Sequence, residues 1–105
     1  MKQPNRGEVW LVDLGMVAKV RPCLVVSVLA KDSDRALCTL VPHTTSTRGS
    51  RFEVISAVRF LKTGAFDVQN LITIPHAKLI RKLGVLSESQ MLEIAQVLKG
   101  WLGLE

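Results

Sequence analysis

The sequence predicts one small domain, mainly β with a C-terminal helix, and three observations predict it. Val, Leu and Ile come in short runs punctuated by seven glycines and four prolines, a pattern of strands and turns rather than of a helix bundle. Sustained helical spacing is confined to the C-terminal segment, where Met91, Ile94, Ala95, Leu98 and Leu102 fall three or four apart. Finally, 105 residues, 48% of them hydrophobic, suffice for one core and not for two. Residues 1–105 are therefore read as a single domain.

The first strand is expected over residues 7–13, entered through Gly7, with Val9 and Leu11 set against Glu8 and Asp13. A short apolar connection over residues 14–20 leads to Arg21-Pro22-Cys23-Leu24-Val25-Val26. Leu24, Val25 and Val26 run without polar alternation, as in a strand buried on both faces. Proline lacks a backbone donor, so Pro22 is expected to mark where the ladder begins and to leave Arg21 just outside it. A polar turn at Lys31-Asp32-Ser33-Asp34 precedes a third strand over residues 35–41, which Pro42 is expected to end. The second and third strands should be antiparallel neighbours.

Residues 43–51, His-Thr-Thr-Ser-Thr-Arg-Gly-Ser-Arg, form a cationic, hydroxyl-rich loop without one aliphatic side chain. Phe52-Glu53-Val54-Ile55 returns to strand character, Lys62-Thr63-Gly64 is a turn, and a final strand centred on Leu71, Ile72 and Ile74 lies within residues 65–75. Residues 76–84 read as a short helical turn or a terminal strand, stopped by Gly84. Ser87 and Gln90 then make a capping box, each side chain satisfying the other residue's backbone donor, and open the helix.

Composition narrows the function classes. No apolar stretch is long enough for a membrane span, and residues 1–6 lack the apolar core of a secretory signal, so a soluble cytoplasmic protein is expected. Cys23 and Cys38 lie in apolar runs without metal-ligand spacing, and neither a metal site nor a cofactor is expected. The net charge of +5 favours a polyanionic partner. With no tyrosine and only three phenylalanines and two tryptophans, base-stacking platforms are scarce, and Trp10 and Trp101 are assigned to core or interface.

Antiparallel pairing sets the start of the second strand beside the end of the third, which brings Arg21 and Thr44 to one rim. A guanidinium beside a hydroxyl suits a phosphate; the alternative is a guanidinium paired with a rim carboxylate beside ordinary turn threonines. Lys19, Thr45, Ser46, Arg48 and Arg51 are the further candidates for contact with a polyanion. His43 adds a group that titrates near neutrality, although alternation along a strand would turn it away from Thr44.

Four blocks in order, Arg6-Gly7-Glu8-Val9-Trp10-Leu11-Val12-Asp13-Leu14, Val20-Arg21-Pro22-Cys23-Leu24-Val25-Val26-Ser27, Val41-Pro42-His43-Thr44-Thr45-Ser46 and Leu79-Ile80-Arg81-Lys82-Leu83-Gly84-Val85-Leu86-Ser87, together resemble the MazF/PemK toxins of type II toxin-antitoxin systems. The resemblance implies a small SH3-like β-barrel with a C-terminal helix, a homodimer, and a metal-independent endoribonuclease acting on single-stranded RNA. It also implies neutralisation by a cognate antitoxin, with operator DNA met only through the antitoxin complex. The family's catalytic arginine falls on Arg21 and its catalytic threonine on Thr44. RNA contacts are expected from Lys19, His43, Thr45, Ser46, Arg48 and Arg51.

Two stretches depart from the family pattern. The connection over residues 14–20 is shorter and more apolar than the family's long loop, and Gln69-Asn70-Leu71-Ile72 stands where an acid and an arginine are usual. Asp67 is a neighbour of that acid rather than its equivalent. A non-catalytic barrel binding nucleic acid or a protein partner is the second expectation.

Overall fold

The computed structural model describes residues 2–16 and 19–104. Its strands are β1 (Glu8–Asp13), β2 (Val20–Val25), β3 (Leu37–Thr44), β4 (Glu53–Ile55), β5 (Ala65–Asp67), β6 (Ile72–Pro75) and β7 (Leu79–Val85). One helix, α1 (Glu88–Leu102), follows them, and 3-10 turns at Val68–Asn70 and His76–Lys78 flank β6. All pairings are antiparallel, in the order β4-β5-β3-β2-β1-β7, with β6 also on β3. The path is open rather than closed, so the term barrel applies loosely.

Alternation along β1, β2 and β3 sends their side chains into two cores. Val9, Leu24, Val41, Phe66 and Ile94 lie on the side covered by α1. Trp10, Val12, Cys23, Val25 and Leu40 lie on the other. Cys23 and Cys38 are free and buried, and burial pushes their thiols up to about 12 and about 11. They act as small hydrophobes.

Both strand-two and strand-three prolines behave differently from expectation, and hydrogen-bond phase explains why. The Val26 N–H donates to the Thr39 carbonyl at 3.0 Å, and the Leu24↔Val41 pair is in step with it. Cys23↔Pro42 is out of step, so the donor that Pro42 lacks points away from β2, toward the gap where β3 changes neighbour from β6 to β5. Pro42 therefore does not end β3. Pro22 is in the other phase, with its imide nitrogen facing β3, and β2–β3 pairing stops at Cys23↔Pro42. On the β1 side nothing is lost, and the ladder runs on through Pro22↔Leu11 and Arg21↔Val12 to Asp13↔Val20. Arg21 is thus inside β2, not beyond it.

Gly84 does not stop β7, which continues to Val85. A Cβ there would collide with the Phe60 ring, so the glycine makes room for a packed aromatic. The expected final strand over residues 65–75 divides into β5, a 3-10 turn and β6. The capping box at Ser87 is present: Ser87 Oγ accepts the Gln90 N–H at 3.2 Å and Gln90 Oε1 accepts the Ser87 N–H at 2.8 Å. Gln90 Nε2 also donates to Ser56 Oγ and the Ala57 carbonyl, which ties the helix start to the chain after β4. Ile94 is buried, Met91 and Leu98 are half-buried, and Leu102 is exposed at the helix end. Gly103, left-handed at φ 69°, ends the helix.

Between β1 and β2 the chain turns tightly. Asp13 Oδ1 accepts the Gly15 N–H, and the Leu14 and Lys19 N–H groups donate to the Lys19 and Gly15 carbonyls. Val17 and Ala18 of the short apolar connection lie outside the described residues. Among the described residues no helix is long and apolar enough to cross a membrane.

Candidate active site

The β2–β3 register has a constant sum, and carrying it two residues past Cys23↔Pro42 sets Arg21 opposite Thr44. Cross-strand partners share a face, and so do residues two apart, so Arg21, Cys23, Pro42 and Thr44 all lie on one side of the sheet. Arg21, Pro42 and Thr44 line a groove there of about 760 Å³, while Cys23 is buried in the core. Arg21, Thr44, Ser46 and Arg48, four of the residues expected from the sequence, meet in it.

The loop after β3 is held from below. Thr44 Oγ1 accepts the Ser46 N–H at 3.0 Å, which occupies a lone pair and leaves the hydroxyl proton to point elsewhere. Both carboxylate oxygens of Glu53 accept the Arg48 N–H, at 3.0 and 3.1 Å, and Oε1 also accepts the Ser50 N–H at 3.0 Å. Gly49 between them is left-handed at φ 71°, a conformation open to glycine without strain. Gly64 closes the far side: a Cβ there would overlap the Thr44 carbonyl and come within 2.9 Å of His43 Cε1.

Lys19, His43, Thr45 and Arg51 do not line the groove. His43 faces the opposite side of β3, buried, with its ring edge-on to Phe66 at 5.1 Å between centroids. Burial pushes its pKa below the usual histidine value. Lys19 is exposed in the β1–β2 turn at φ 57°, and Thr45 is exposed in the loop. Arg51 lies over the Phe52 ring, its guanidinium carbon 4.5 Å from the centroid.

The matching family model spans residues 5–102 and is described as the PemK-like, MazF-like toxin of type II toxin-antitoxin systems. The chain belongs to this family. Among solved structures, this toxin-family chain is similar to a mycobacterial endoribonuclease in complex with its cognate antitoxin, at 30% identity and TM-score 0.84, covering 97% of each chain. It is also similar to the Mycobacterium tuberculosis toxin MazF-mt6, at 27% identity and TM-score 0.77, over 93% of this chain and 98% of that one. A Deinococcus radiodurans MazE-MazF structure matches at 20% identity and TM-score 0.81 over 98% of each chain, a likeness of fold. No curated protein matches the chain.

Several groove residues of this family member carried no functional signal in the sequence. Glu53 reads as a polar residue of a short strand. Gln69 and Asn70, noted only as a departure from the family, face the groove with Asp67, and Asn70 Nδ2 donates to Asp67 Oδ2 at 2.5 Å. Trp101 reaches the same groove from α1. No group of three His, Cys, Asp or Glu side chains suited to a metal ion comes together among the described residues.

Proposed function

We propose that this chain is a toxin-type endoribonuclease that cuts single-stranded RNA without a metal ion. The observation that carries the reading is the placing of Arg21 and Thr44 opposite one another on one face, in a groove that also holds Arg48 and two serine hydroxyls. Net charge of +5 supports a polyanionic substrate, and single strands fit a groove that tracks a backbone.

The ribose 2′-oxygen attacks the adjacent phosphorus. A 2′-O–P bond forms, the P–O5′ bond breaks, and the products carry a 2′,3′-cyclic phosphate and a 5′-hydroxyl. Charge gathers on the non-bridging oxygens during attack, where fixed donors are worth most. The Arg21 guanidinium supplies two parallel N–H donors and no acceptor, which makes it a stabiliser and not a base. Thr44 donates its hydroxyl proton to the same phosphate, its oxygen already held by Ser46 N–H. Asp67 is the groove carboxylate not engaged by loop N–H groups; it or a water takes the 2′-hydroxyl proton, and a water gives a proton to the departing 5′-oxygen.

Apolar surface at Met16, Val28 and Ile55 supports a homodimer, which light scattering reads as twice the chain mass. A cognate antitoxin is the protein partner this reading carries, RNA places the action in the cytosol, and operator DNA enters only with the antitoxin.

The test is incubation of a long mixed-sequence RNA with the folded protein in EDTA. Discrete cleavage with cyclic phosphate ends supports the reading. Intact RNA that is nonetheless bound would support a non-catalytic nucleic-acid-binding domain, the alternative to which the residues at 69 and 70 point.

A further inference from the structure

A tryptophan near the end of α1 has no structural need to face a polar groove. Trp101 nevertheless lines the groove and is 40% exposed. Its ring is braced by Phe52, 5.2 Å between centroids and tilted 59°, and Phe52 in turn carries the Arg51 guanidinium at 4.5 Å. Helix α1 packs against the 3-10 turn at Val68–Asn70, so the exposed amides of Gln69 and Asn70 line the groove from the element next to the tryptophan's helix. Arg21, Thr44, Ser46 and Arg48 line the same groove from β2, β3 and the loop that follows.

We propose that Trp101, braced by Phe52 and Arg51, is a stacking platform for one unpaired nucleobase of the RNA, with the amides of Gln69 and Asn70 presented to that base's edge. This rests on the reading of the groove as an RNA site and adds where a base goes. A single strand needs cations and hydroxyls for its phosphates and an aromatic face for its bases, and this groove supplies both. Amide side chains carry a donor and an acceptor each, the pattern that a base edge answers. An apolar peptide anchor on Trp101 would make no use of the exposed Gln69 amide or the Asn70 side-chain carbonyl, which favours a nucleobase over a protein segment.

The probe is a short single-stranded RNA with 2′-O-methyl riboses, which lacks the attacking hydroxyl and so binds without being cut. Intrinsic fluorescence is followed in the wild type and in Trp101→Phe, which keeps only the buried Trp10 as an indole. Quenching in the wild type and none in Trp101→Phe is expected. Affinity should fall about tenfold in Trp101→Ala and Trp101→Leu, the second preserving apolar bulk, and stay within about threefold in Trp101→Phe. Removing one base from the probe should cost the wild type a similar factor and cost Trp101→Ala nothing further. Unchanged fluorescence and unchanged affinity in Trp101→Ala and Trp101→Leu would overturn the platform. So would quenching by an acidic peptide with one aromatic anchor and not by RNA. Cleavage of ordinary RNA by the wild type, run in parallel, separates the two ideas: cutting without quenching sinks the platform alone, and quenching without cutting sinks the nuclease reading alone.

Discussion

Arg21 owes its position to the residue after it. Because the Pro22 imide faces β3, pairing on that side stops at Cys23↔Pro42, while the β1 side still holds Arg21 against Val12. The arginine is anchored by one ladder and its side of β2 is left open by the other. His43, one residue before Thr44, illustrates the opposite fate, since alternation sends it against Phe66. Burial lowers its pKa, so the unfolded chain, titrating at about 6.5, binds a proton before the native state does. The sign follows: between those two values the unfolded state holds the extra proton, and stability falls as pH drops below about 6.5. Urea midpoints measured from about pH 7 to about pH 5 should decline, and the decline should be shallower in His43→Phe. The meeting of Arg21 and Thr44 in one groove was legible in the sequence because two apolar runs joined by a turn imply an antiparallel register. The behaviour of the prolines was not, because hydrogen-bond phase depends on which neighbour each edge meets.

At the scale of elements, the loop between β3 and β4 behaves as a unit hung from one carboxylate. Glu53 takes the N–H groups of Arg48 and Ser50, with Gly49 left-handed between them, and both residues line the groove. Hydrogen bonds to a charged acceptor are worth about 1.5–3 kcal/mol each. Glu53→Ala should therefore speed hydrogen exchange at the Arg48 and Ser50 amides by at least about tenfold and slow RNA cleavage by about tenfold. Glu53→Gln, which keeps one carbonyl acceptor, should lose less in both measurements. Amide exchange followed by NMR beside a cleavage assay checks this. The hydroxyl-rich composition announced the loop, but a glutamate in a three-residue strand carries no mark of what it holds. The same holds for α1: its capping box and apolar stripe were readable from Ser87, Gln90 and Ile94, whereas the approach of Trp101 to the groove depends on how the helix lies across the Val68–Asn70 turn. Gly84 shows a signal with two meanings, since the room it makes for Phe60 looks in sequence like a strand stop.

Over the whole molecule, an excess of five positive charges and a groove carrying Arg21 and Arg48 make RNA affinity a function of salt. For single strands each neutralised phosphate contributes about −0.7 to the slope of log affinity against log salt. Arg48→Ala should flatten that slope by about 0.7, measured by anisotropy on the 2′-O-methyl probe, and should weaken all sequences alike. An unchanged slope would remove Arg48 from the phosphate path. Two apolar layers share β1, β2 and β3, and the groove lies where β2 and β3 run on past the end of their mutual pairing.

In the proposed mechanism Arg21 and Thr44 jointly stabilise the phosphate under attack. Single-turnover cleavage of one defined RNA in EDTA, compared across the wild type, Arg21→Ala and Thr44→Val with each variant's fold checked by circular dichroism, tests it most directly. A loss of at least about a hundredfold is expected for Arg21→Ala and about tenfold or more for Thr44→Val, with cyclic phosphate ends wherever cutting persists. Folded variants that cut at the wild-type rate would contradict it.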